Sequence, residues 1–174
     1  MTWIFGYGSL IWRPAFPYED RRRVVVRGWR RRFWQASPDH RGVPEAPGRV
    51  VTLVEAAGAV CWGVAFLLDD GDRRQVMSKL DLREKNGYEP VAVDLEFDDG
   101  SVQHGLTYVA GPENPSFVGP APVDEMIAQI ATAIGPSGPN VEYLMRLAET
   151  LDGMDVYDEE VHGLRAALDA RKSN

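Results

Sequence analysis

The segment "VAVDLEFDDGSVQHGLTYVA", residues 91–110, carries the clearest structural signal in this sequence. Two runs rich in apolar residues, "VAVDLEF" and "VQHGLTYVA", flank the polar tetrapeptide Asp98-Asp99-Gly100-Ser101. Asp-Gly between alternating apolar residues is the strongest short-range signal for a β-hairpin. The segment therefore predicts two antiparallel strands that are joined by a tight turn.

More strand-like runs lie before this hairpin. "TWIFGYG", "RVVVRGW" and "RRFWQAS" follow one another in the first 37 residues. "GRVVTLVEA" and "AVCWGVAFLL" lie on either side of Ala56-Ala57-Gly58 and predict a second hairpin with its turn at these small residues. Because "CWGVAFLL" is apolar at nearly every position, we expect a strand that is buried on both faces.

Helical patterns lie between the two hairpins and in the last third of the chain. We expect Asp72 to cap the first helix, Val76, Met77 and Leu80 to form its apolar stripe, and Asn86-Gly87 to end it. The later helices are predicted in "VDEMIAQIATAI", "NVEYLMRLAETLDG" and "DEEVHGLRAALDARK". Strands first and helices mostly later favour an α+β fold, with a strongly curved sheet or small barrel packed by helices, in a single domain over residues 1–174.

Composition narrows the class of protein. The 174 residues are 44% hydrophobic and 26% charged, which is typical of a soluble globular chain. No apolar run is long enough to cross a bilayer, and "MTWIFGYGSLIW" has neither a basic leader nor a small-residue cleavage site. Cys61 is the only cysteine, so we expect no internal disulfide and a cytoplasmic location. His40, His104 and His162 are scattered, so we expect no metal site.

Charge is unevenly distributed along the chain. Residues 1–50 hold ten Arg and four acids, about +6, whereas the remainder holds nine Lys and Arg and 22 acids, about −13, for the net charge of −7. The segment "RGWRRRFWQ" could suggest nucleic acid, but no recognised nucleic-acid-binding motif accompanies it. Strands with Arg on their outer face explain this pattern better, and a local excess of Arg also suits an anionic small molecule.

The motif "FGYGSL", residues 5–10, leaves the first strand through two glycines. Glycines allow a positive φ and let the backbone approach a ligand closely. Consecutive backbone N–H groups in such a turn can bind an anion or stabilise a developing oxyanion. An ordinary strand end with Tyr7 and Leu10 in the core is the alternative, and local physics alone favours it.

The motif "LREKNGYEP", residues 82–90, carries Glu84 near the predicted end of a helix. A carboxylate at the carboxyl end of a helix interacts unfavourably with the helix dipole, so a functional role is one explanation for its position. In a partly apolar pocket its pKa would rise, so that it could take up a proton near neutral pH. An exposed charge cluster, with Arg83 and Lys85 beside Glu84, is the alternative explanation.

Taken together, the motifs resemble the gamma-glutamylcyclotransferases, and most closely their ChaC-like, glutathione-specific branch. Five segments carry the resemblance in the order of that branch: "FGYGSLIWRP", "FWQASPDHRGVPEAPGRVVTLVE", "CWGVAF", "LREKNGYEP" and "GPSGPNVEYLMRL". The resemblance implies a small mixed β-barrel with surrounding helices. It also implies a lyase that converts glutathione to 5-oxoproline and cysteinylglycine in glutathione catabolism, without metal or cofactor.

The family's catalytic acid corresponds to Glu84 in this sequence. Its substrate-holding turn corresponds to Gly6, Tyr7, Gly8, Ser9, Leu10 and Ile11. One departure concerns Asn86, since the branch usually has Gly-Gly-Tyr where this chain has Asn-Gly-Tyr. Asn tolerates the left-handed conformation, so we expect the turn to be kept.

Two further residues are weaker candidates for substrate binding. Tyr143 could donate its hydroxyl to the substrate, or its ring could simply lie in the core. Arg49, like Arg41, could pair with a carboxylate of glutathione, or could face solvent. The expected partner is thus glutathione, with no nucleic acid and no membrane, and no oligomeric state is assigned. Turnover of other gamma-glutamyl amines and a non-catalytic regulatory role are the alternative functions.

Overall fold

The structure, a computed structural model, describes residues 1–83 and 87–174. Two compact units are found in it. Unit 1 comprises Met1–Arg31 and Leu53–Pro115, and unit 2 comprises Arg32–Thr52 and Ser116–Asn174. The single domain over residues 1–174 stays a prediction.

Five strands form a closed barrel in the order β1–β3–β2–β4–β5. In unit 1, β1 is antiparallel to β3, from Thr2↔Leu68 to Gly6↔Val64, and parallel to β5. The predicted hairpin of β4 and β5 is antiparallel along its whole length, which confirms the expectation from "DDGS". The small mixed barrel of the α+β prediction is also confirmed. The strands are β1 (Thr2–Gly6), β2 (Asp20–Ser37), β3 (Gly48–Leu68), β4 (Glu89–Phe97) and β5 (Val102–Val109).

The predicted hairpin around Ala56-Ala57-Gly58 is wrong. Strand β3 continues through this segment, with Gly58 at φ 77°. Left-handed glycines occur at β-bulges as well as in turns, so one long strand can accommodate the small residues. The same reason explains why "RVVVRGW" and "RRFWQAS" form the single strand β2, with Gly28 of the first run at φ 81°.

Helix α1 spans Asp70–Arg83 and packs on the barrel in unit 1. It begins two residues before the predicted cap at Asp72, and Asp70 and Asp72 both lie in its first turn, where negative charge favours the helix dipole. The predicted apolar stripe is confirmed. Val76 and Leu80 are buried together with Ile4, Leu68 and Tyr108, and Met77 packs against this cluster.

Unit 2 contains three helices, α2 (Val123–Thr132), α3 (Asn140–Gly153) and α4 (Glu159–Lys172), as the apolar patterns predict. The Asp158 side chain caps α4 by accepting a hydrogen bond from the Val161 N–H. The "GPSGP" break was not predicted to form strands, but together with the preceding Ile134 it forms the antiparallel pair β6 (Ile134–Gly135) and β7 (Gly138–Pro139). None of the helices in the described part of the chain is long and apolar enough to span a membrane.

Candidate functional site

The turn over residues 6–11 follows β1, which the barrel fixes from both sides. Ile4 and Phe5 are buried in β1, and the chain then forms a 3₁₀ turn over Ser9–Ile11. The Ile11 N–H donates to the Gly8 carbonyl at 3.0 Å, and the Arg13 N–H donates to the Ser9 carbonyl at 2.8 Å. The motif "FGYGSL" is therefore an ordered turn at the end of a buried strand.

Glycine is needed here for close packing and not for a positive φ. Gly8 has φ −131°, and Gly6 also lies outside the left-handed region, so neither glycine uses the positive φ that glycine allows. A Cβ on Gly63 of β3 would lie 2.3 Å from the Gly6 carbonyl oxygen and 2.6 Å from the Phe5 ring. The backbones of β1 and β3 approach each other too closely at this point for a side chain at Gly63.

Tyr7 ties the turn to β5. Its side chain is buried, and its hydroxyl donates to the Tyr108 carbonyl at 2.6 Å. The Tyr108 hydroxyl in turn donates to Asp81 Oδ1 at 2.8 Å, close to the carboxyl end of α1. Two hydrogen bonds through Tyr108 therefore connect the turn with the last turn of α1.

Glu84, the predicted catalytic residue, lies outside the described residues. It follows Asp81 by three positions in the sequence. Beyond it, Gly87 has φ 85° and lies against the Asn114 side chain, so a side chain at position 87 would clash. The catalytic role of Glu84 stays a prediction.

Arg31 is a residue of the site that the sequence interpretation missed. It is 2% exposed, and its guanidinium donates hydrogen bonds to the carbonyls of Tyr7, at 2.8 Å, and Trp62. In the sequence, Arg31 lies between Arg30 and Arg32, so the run looks like a charged surface segment. Strand periodicity could have found it, since Arg31 shares its parity with the buried Phe33.

The two weaker candidates, Arg49 and Tyr143, both lie inside unit 2. The Arg49 Nε donates to Gln129 Oε1 at 2.7 Å, and its Nη1 donates to the Phe33 carbonyl at 2.9 Å. Burial lowers the pKa of the Arg49 guanidinium, and the charges of Glu160 and Glu125 oppose that shift. Arg49 does not face solvent, and its role in substrate binding stays a prediction.

Tyr143 is 5% exposed, and its ring packs edge-on against Phe33 with the ring centroids 5.9 Å apart. Its hydroxyl accepts a hydrogen bond from the Val51 N–H at 3.2 Å. The alternative of a core aromatic residue describes this environment well, and substrate binding by Tyr143 stays a prediction. Arg41 lies nearby in unit 2, with its guanidinium carbon 5.8 Å from the centre of the Tyr143 ring.

The described residues contain no group of three or more His, Cys, Asp or Glu side chains that could hold a metal ion. Cys61 is buried, as expected for a core position. Neither the lack of such a group among these residues nor the burial of Cys61 tests which reaction the protein catalyses.

Comparison with known proteins identifies the family. Residues 2–171 match the model of the ChaC-like protein family. The chain belongs to this ChaC-like family. Glutathione-specific gamma-glutamylcyclotransferase 1 of Danio rerio is 43% identical over 173 residues, which cover 95% of this chain and 88% of the fish protein. The Homo sapiens protein of the same name is also 43% identical, over 97% of this chain and 77% of the human protein.

A solved structure supports the same assignment. The crystal structure of a gamma-glutamyl cyclotransferase specific to glutathione from yeast matches this ChaC-like chain with a TM-score of 0.86 and 32% identity, over 97% of this chain and 94% of the yeast chain. A more distant gamma-glutamyl cyclotransferase, 14% identical with a TM-score of 0.59, shares the fold. The resemblance recognised in the sequence is therefore confirmed.

The environment of Tyr143 in this ChaC-like chain gives a testable prediction. Tyr143→Phe removes the acceptor of the buried Val51 N–H, so we expect the free energy of unfolding to fall by about 1–3 kcal/mol. In an assay for the activity that names its relatives, kcat/KM should change less than about threefold, because the ring and its packing remain. Urea denaturation and steady-state kinetics measure the two quantities.

Tyr157→Phe is the matched control, because Tyr157 is 75% exposed and its variant should keep the stability of the wild type. A tenfold or larger loss of kcat/KM in folded Tyr143→Phe, at about the order expected when a contact to the transition state is lost, would contradict the structural role and support substrate binding.

Proposed function

We propose that this ChaC-like protein is a glutathione-specific gamma-glutamylcyclotransferase. The observation that carries the proposal is the match to relatives named for this activity along nearly the whole chain, at 43% identity for the fish and human proteins. The reaction converts glutathione to 5-oxoproline and cysteinylglycine, which makes the protein a lyase of glutathione degradation. A cytoplasmic location, a single domain and the absence of a metal or cofactor belong to the same proposal.

In the proposed reaction the substrate supplies its own nucleophile. The α-amine of the γ-glutamyl group attacks the γ-carbonyl carbon and closes a five-membered ring, and the bond to the cysteine nitrogen then breaks. Because the reaction is intramolecular, much of the entropic barrier is already overcome once the γ-glutamyl chain is held folded. No Ser or Cys nucleophile is needed, and neither Ser9 nor Cys61 acts as one.

We assign the proton transfers to Glu84. The α-ammonium must lose a proton before it can attack, since only the free amine is nucleophilic. The departing cysteinylglycine amine must then gain one. A single carboxylate can act first as general base and then, carrying that proton, as general acid. The link from Tyr7 through Tyr108 to Asp81 supports this assignment, because it ties the turn to the segment that leads to Glu84.

We assign substrate holding to the turn over Gly6, Tyr7, Gly8, Ser9, Leu10 and Ile11. The backbone N–H groups of residues 7–10 would hold the γ-glutamyl unit or the negative charge that develops on the γ-carbonyl oxygen as the ring closes. Backbone donors fixed before the reaction stabilise such a charge without the cost of reorganising water. The hydrogen bonds that order the turn, from Ile11 to Gly8 and from Arg13 to Ser9, support this role.

The test compares 5-oxoproline release from glutathione with release from free γ-glutamyl amino acids. Purified protein, dialysed against EDTA, should release 5-oxoproline and cysteinylglycine in equal amounts from glutathione and much more slowly from γ-glutamylalanine. Release from γ-glutamyl amino acids at equal or higher kcat/KM would favour the alternative of another gamma-glutamyl amine as substrate. No release from any of these by folded protein would reject the enzyme and favour the regulatory role.

A further inference from the structure

Arg31 is a buried cation that the proposed reaction does not use directly. At 2% exposure it is among the largest fully buried side chains of the described chain. Removing a guanidinium from water is costly, and an apolar side chain of similar volume often stabilises a fold at least as well. A function beyond packing would explain why a charge is held here.

The guanidinium reaches the turn from strand β2. Its Nε donates to the Tyr7 carbonyl at 2.8 Å, and its Nη2 donates to the Trp62 carbonyl. Trp62 precedes Gly63, where β3 makes its close approach to Gly6. Arg31 therefore fixes the carbonyl of Tyr7, the residue before Gly8. Its hydrogen bond to Trp62 also holds β3, the strand against which the turn packs.

The position of the Tyr7 carbonyl determines the direction of the Gly8 N–H. The two groups belong to one planar trans peptide, so they point in opposite directions. With the carbonyl held by Arg31, the Gly8 N–H is aimed away from the buried cation. Gly8 is only half-buried, and within residues 1–83 and 87–174 no group accepts a hydrogen bond from its N–H.

The charge of Arg31 also affects the strength of this donor. A hydrogen bond from an ionised donor polarises the peptide that accepts it, and linked hydrogen bonds strengthen one another in a medium of low dielectric constant. The Gly8 N–H thus becomes a better donor to negative charge than an ordinary amide. An oxyanion gains more from such a donor than a neutral carbonyl does.

We propose that Arg31 is a positioning residue that, through the Tyr7–Gly8 peptide, aims and polarises the Gly8 N–H toward the oxyanion formed during ring closure. This inference rests on the proposed cyclotransferase function and adds to it a specific donor and the group that directs it. Arg31 acts through the peptide and does not touch the substrate.

A second arginine of β2, Arg21, also donates to a carbonyl of the turn, and its substitution is expected to have a smaller effect on kcat. The Arg21 Nη2 donates to the Ile11 carbonyl at 3.1 Å, at the other end of the turn, but Arg21 is exposed. Its charge is screened by water, so Arg21→Gln should lower kcat less than Arg31→Gln does. Arg27 lies on the same strand in an exposed ion pair with Glu96, and Arg27→Gln should leave kcat unchanged.

The experiment measures kcat and KM for glutathione in Arg31→Gln and Arg31→Lys, with Arg27→Gln as control. If Arg31 directs an oxyanion donor, kcat falls about 10²- to 10³-fold, the loss typical of a removed oxyanion donor, while KM stays nearly constant, because the donor acts on the transition state. Arg31→Lys keeps the charge but loses the planar fork that donates to both carbonyls, so its kcat should also fall, although less than that of Arg31→Gln, and it provides a second variant if Arg31→Gln does not fold. Val93→Ala, a buried change in unit 1, controls for lost stability and should lower Tm without changing kcat below Tm.

A second readout does not depend on activity. Loss of the hydrogen bond to the Tyr7 carbonyl should move the amide ¹⁵N resonance of Gly8 upfield in protein labelled with ¹⁵N-glycine, and should leave that of Gly163 in place. A folded Arg31 variant with wild-type kcat, or with an unmoved Gly8 resonance, overturns the inference. A wild type that does not act on glutathione rejects the proposed function instead, and the Gly8 resonance still decides whether Arg31 directs this amide.

Discussion

Replacement of Glu84 by Gln is expected to lower kcat for 5-oxoproline release from glutathione by about 10²- to 10⁴-fold, the usual contribution of a positioned general acid or base. Gln has nearly the same shape as Glu but cannot accept the proton of the substrate's α-ammonium. It also cannot return a proton to the leaving amine. Chromatographic measurement of 5-oxoproline, with circular dichroism to verify folding, tests this expectation.

Two other glutamates provide matched controls for Glu84→Gln. Glu89 and Glu55 are exposed strand residues, so Glu89→Gln and Glu55→Gln should keep the activity of the wild type. The pH profile adds a second test, since the acidic limb of kcat/KM should disappear in Glu84→Gln when that limb reports the ionisation of Glu84. Full activity in folded Glu84→Gln would assign the base to another group and leave Glu84 as a charge beside a helix end.

Replacement of Gly63 by Ala should destabilise the protein by at least about 1–3 kcal/mol, the range for overpacked interiors. The added Cβ would lie 2.3 Å from the Gly6 carbonyl oxygen, and a backbone atom cannot move aside as the end of a flexible side chain can. Strands β1 and β3 must separate at the point where the turn begins. We therefore expect a lower urea midpoint, together with a lower kcat in the fraction that remains folded.

Gly163→Ala is the matched control for this substitution. Gly163 lies in α4, and a Cβ there would meet nothing within 4 Å. Because Ala is a better helix former than Gly, this variant should be stabilised by up to about 1 kcal/mol. A Gly63→Ala protein with the midpoint and activity of the wild type would show that β1 and β3 have more room than the structure indicates.

Local sequence patterns predicted the elements whose formation depends on neighbours in the chain. The β4–β5 hairpin follows from Asp-Gly between alternating apolar residues, and the buried face of α1 follows from Val76, Met77 and Leu80 at helical spacing. These signals involve residues that are close together in the sequence. Pairing partners elsewhere in the fold are not needed to interpret them.

The hairpin that was wrongly predicted within β3 could not be excluded in this way, because the decisive contacts are not local. Ala56-Ala57-Gly58 can form a turn or continue a strand, and both conformations accept a glycine with positive φ. In the barrel, β3 lies between β1 and β2, and its pairs with β1, at residues 64–68, join positions about 60 residues apart in the sequence. A local pattern therefore cannot distinguish the two structures.

The predicted site came mainly from the family resemblance, because neither "FGYGSL" nor "LREKNGYEP" has a unique physical explanation by itself. The contacts that organise the turn could not be predicted in the same way. The hydroxyls of Tyr7 and Tyr108 and the guanidinium of Arg31 meet backbone or side-chain acceptors from distant parts of the chain. Strand parity alone could have indicated that Arg31 is buried.

The pairing of β1 has a consequence for the synthesis of this protein. Strand β1 leaves the ribosome before its parallel neighbour β5, which ends at Val109. At about 5–20 residues per second, roughly 5–20 s of translation separate the two strands. During this interval the apolar segment "TWIFGYGSL" has no partner on its β5 side and is a candidate substrate for chaperones that act on nascent chains. A polypeptide released before residue 102 would lack β5, the strand that completes the barrel beside β1, and its "FGYGSL" turn would lose the Tyr108 carbonyl that accepts a hydrogen bond from Tyr7.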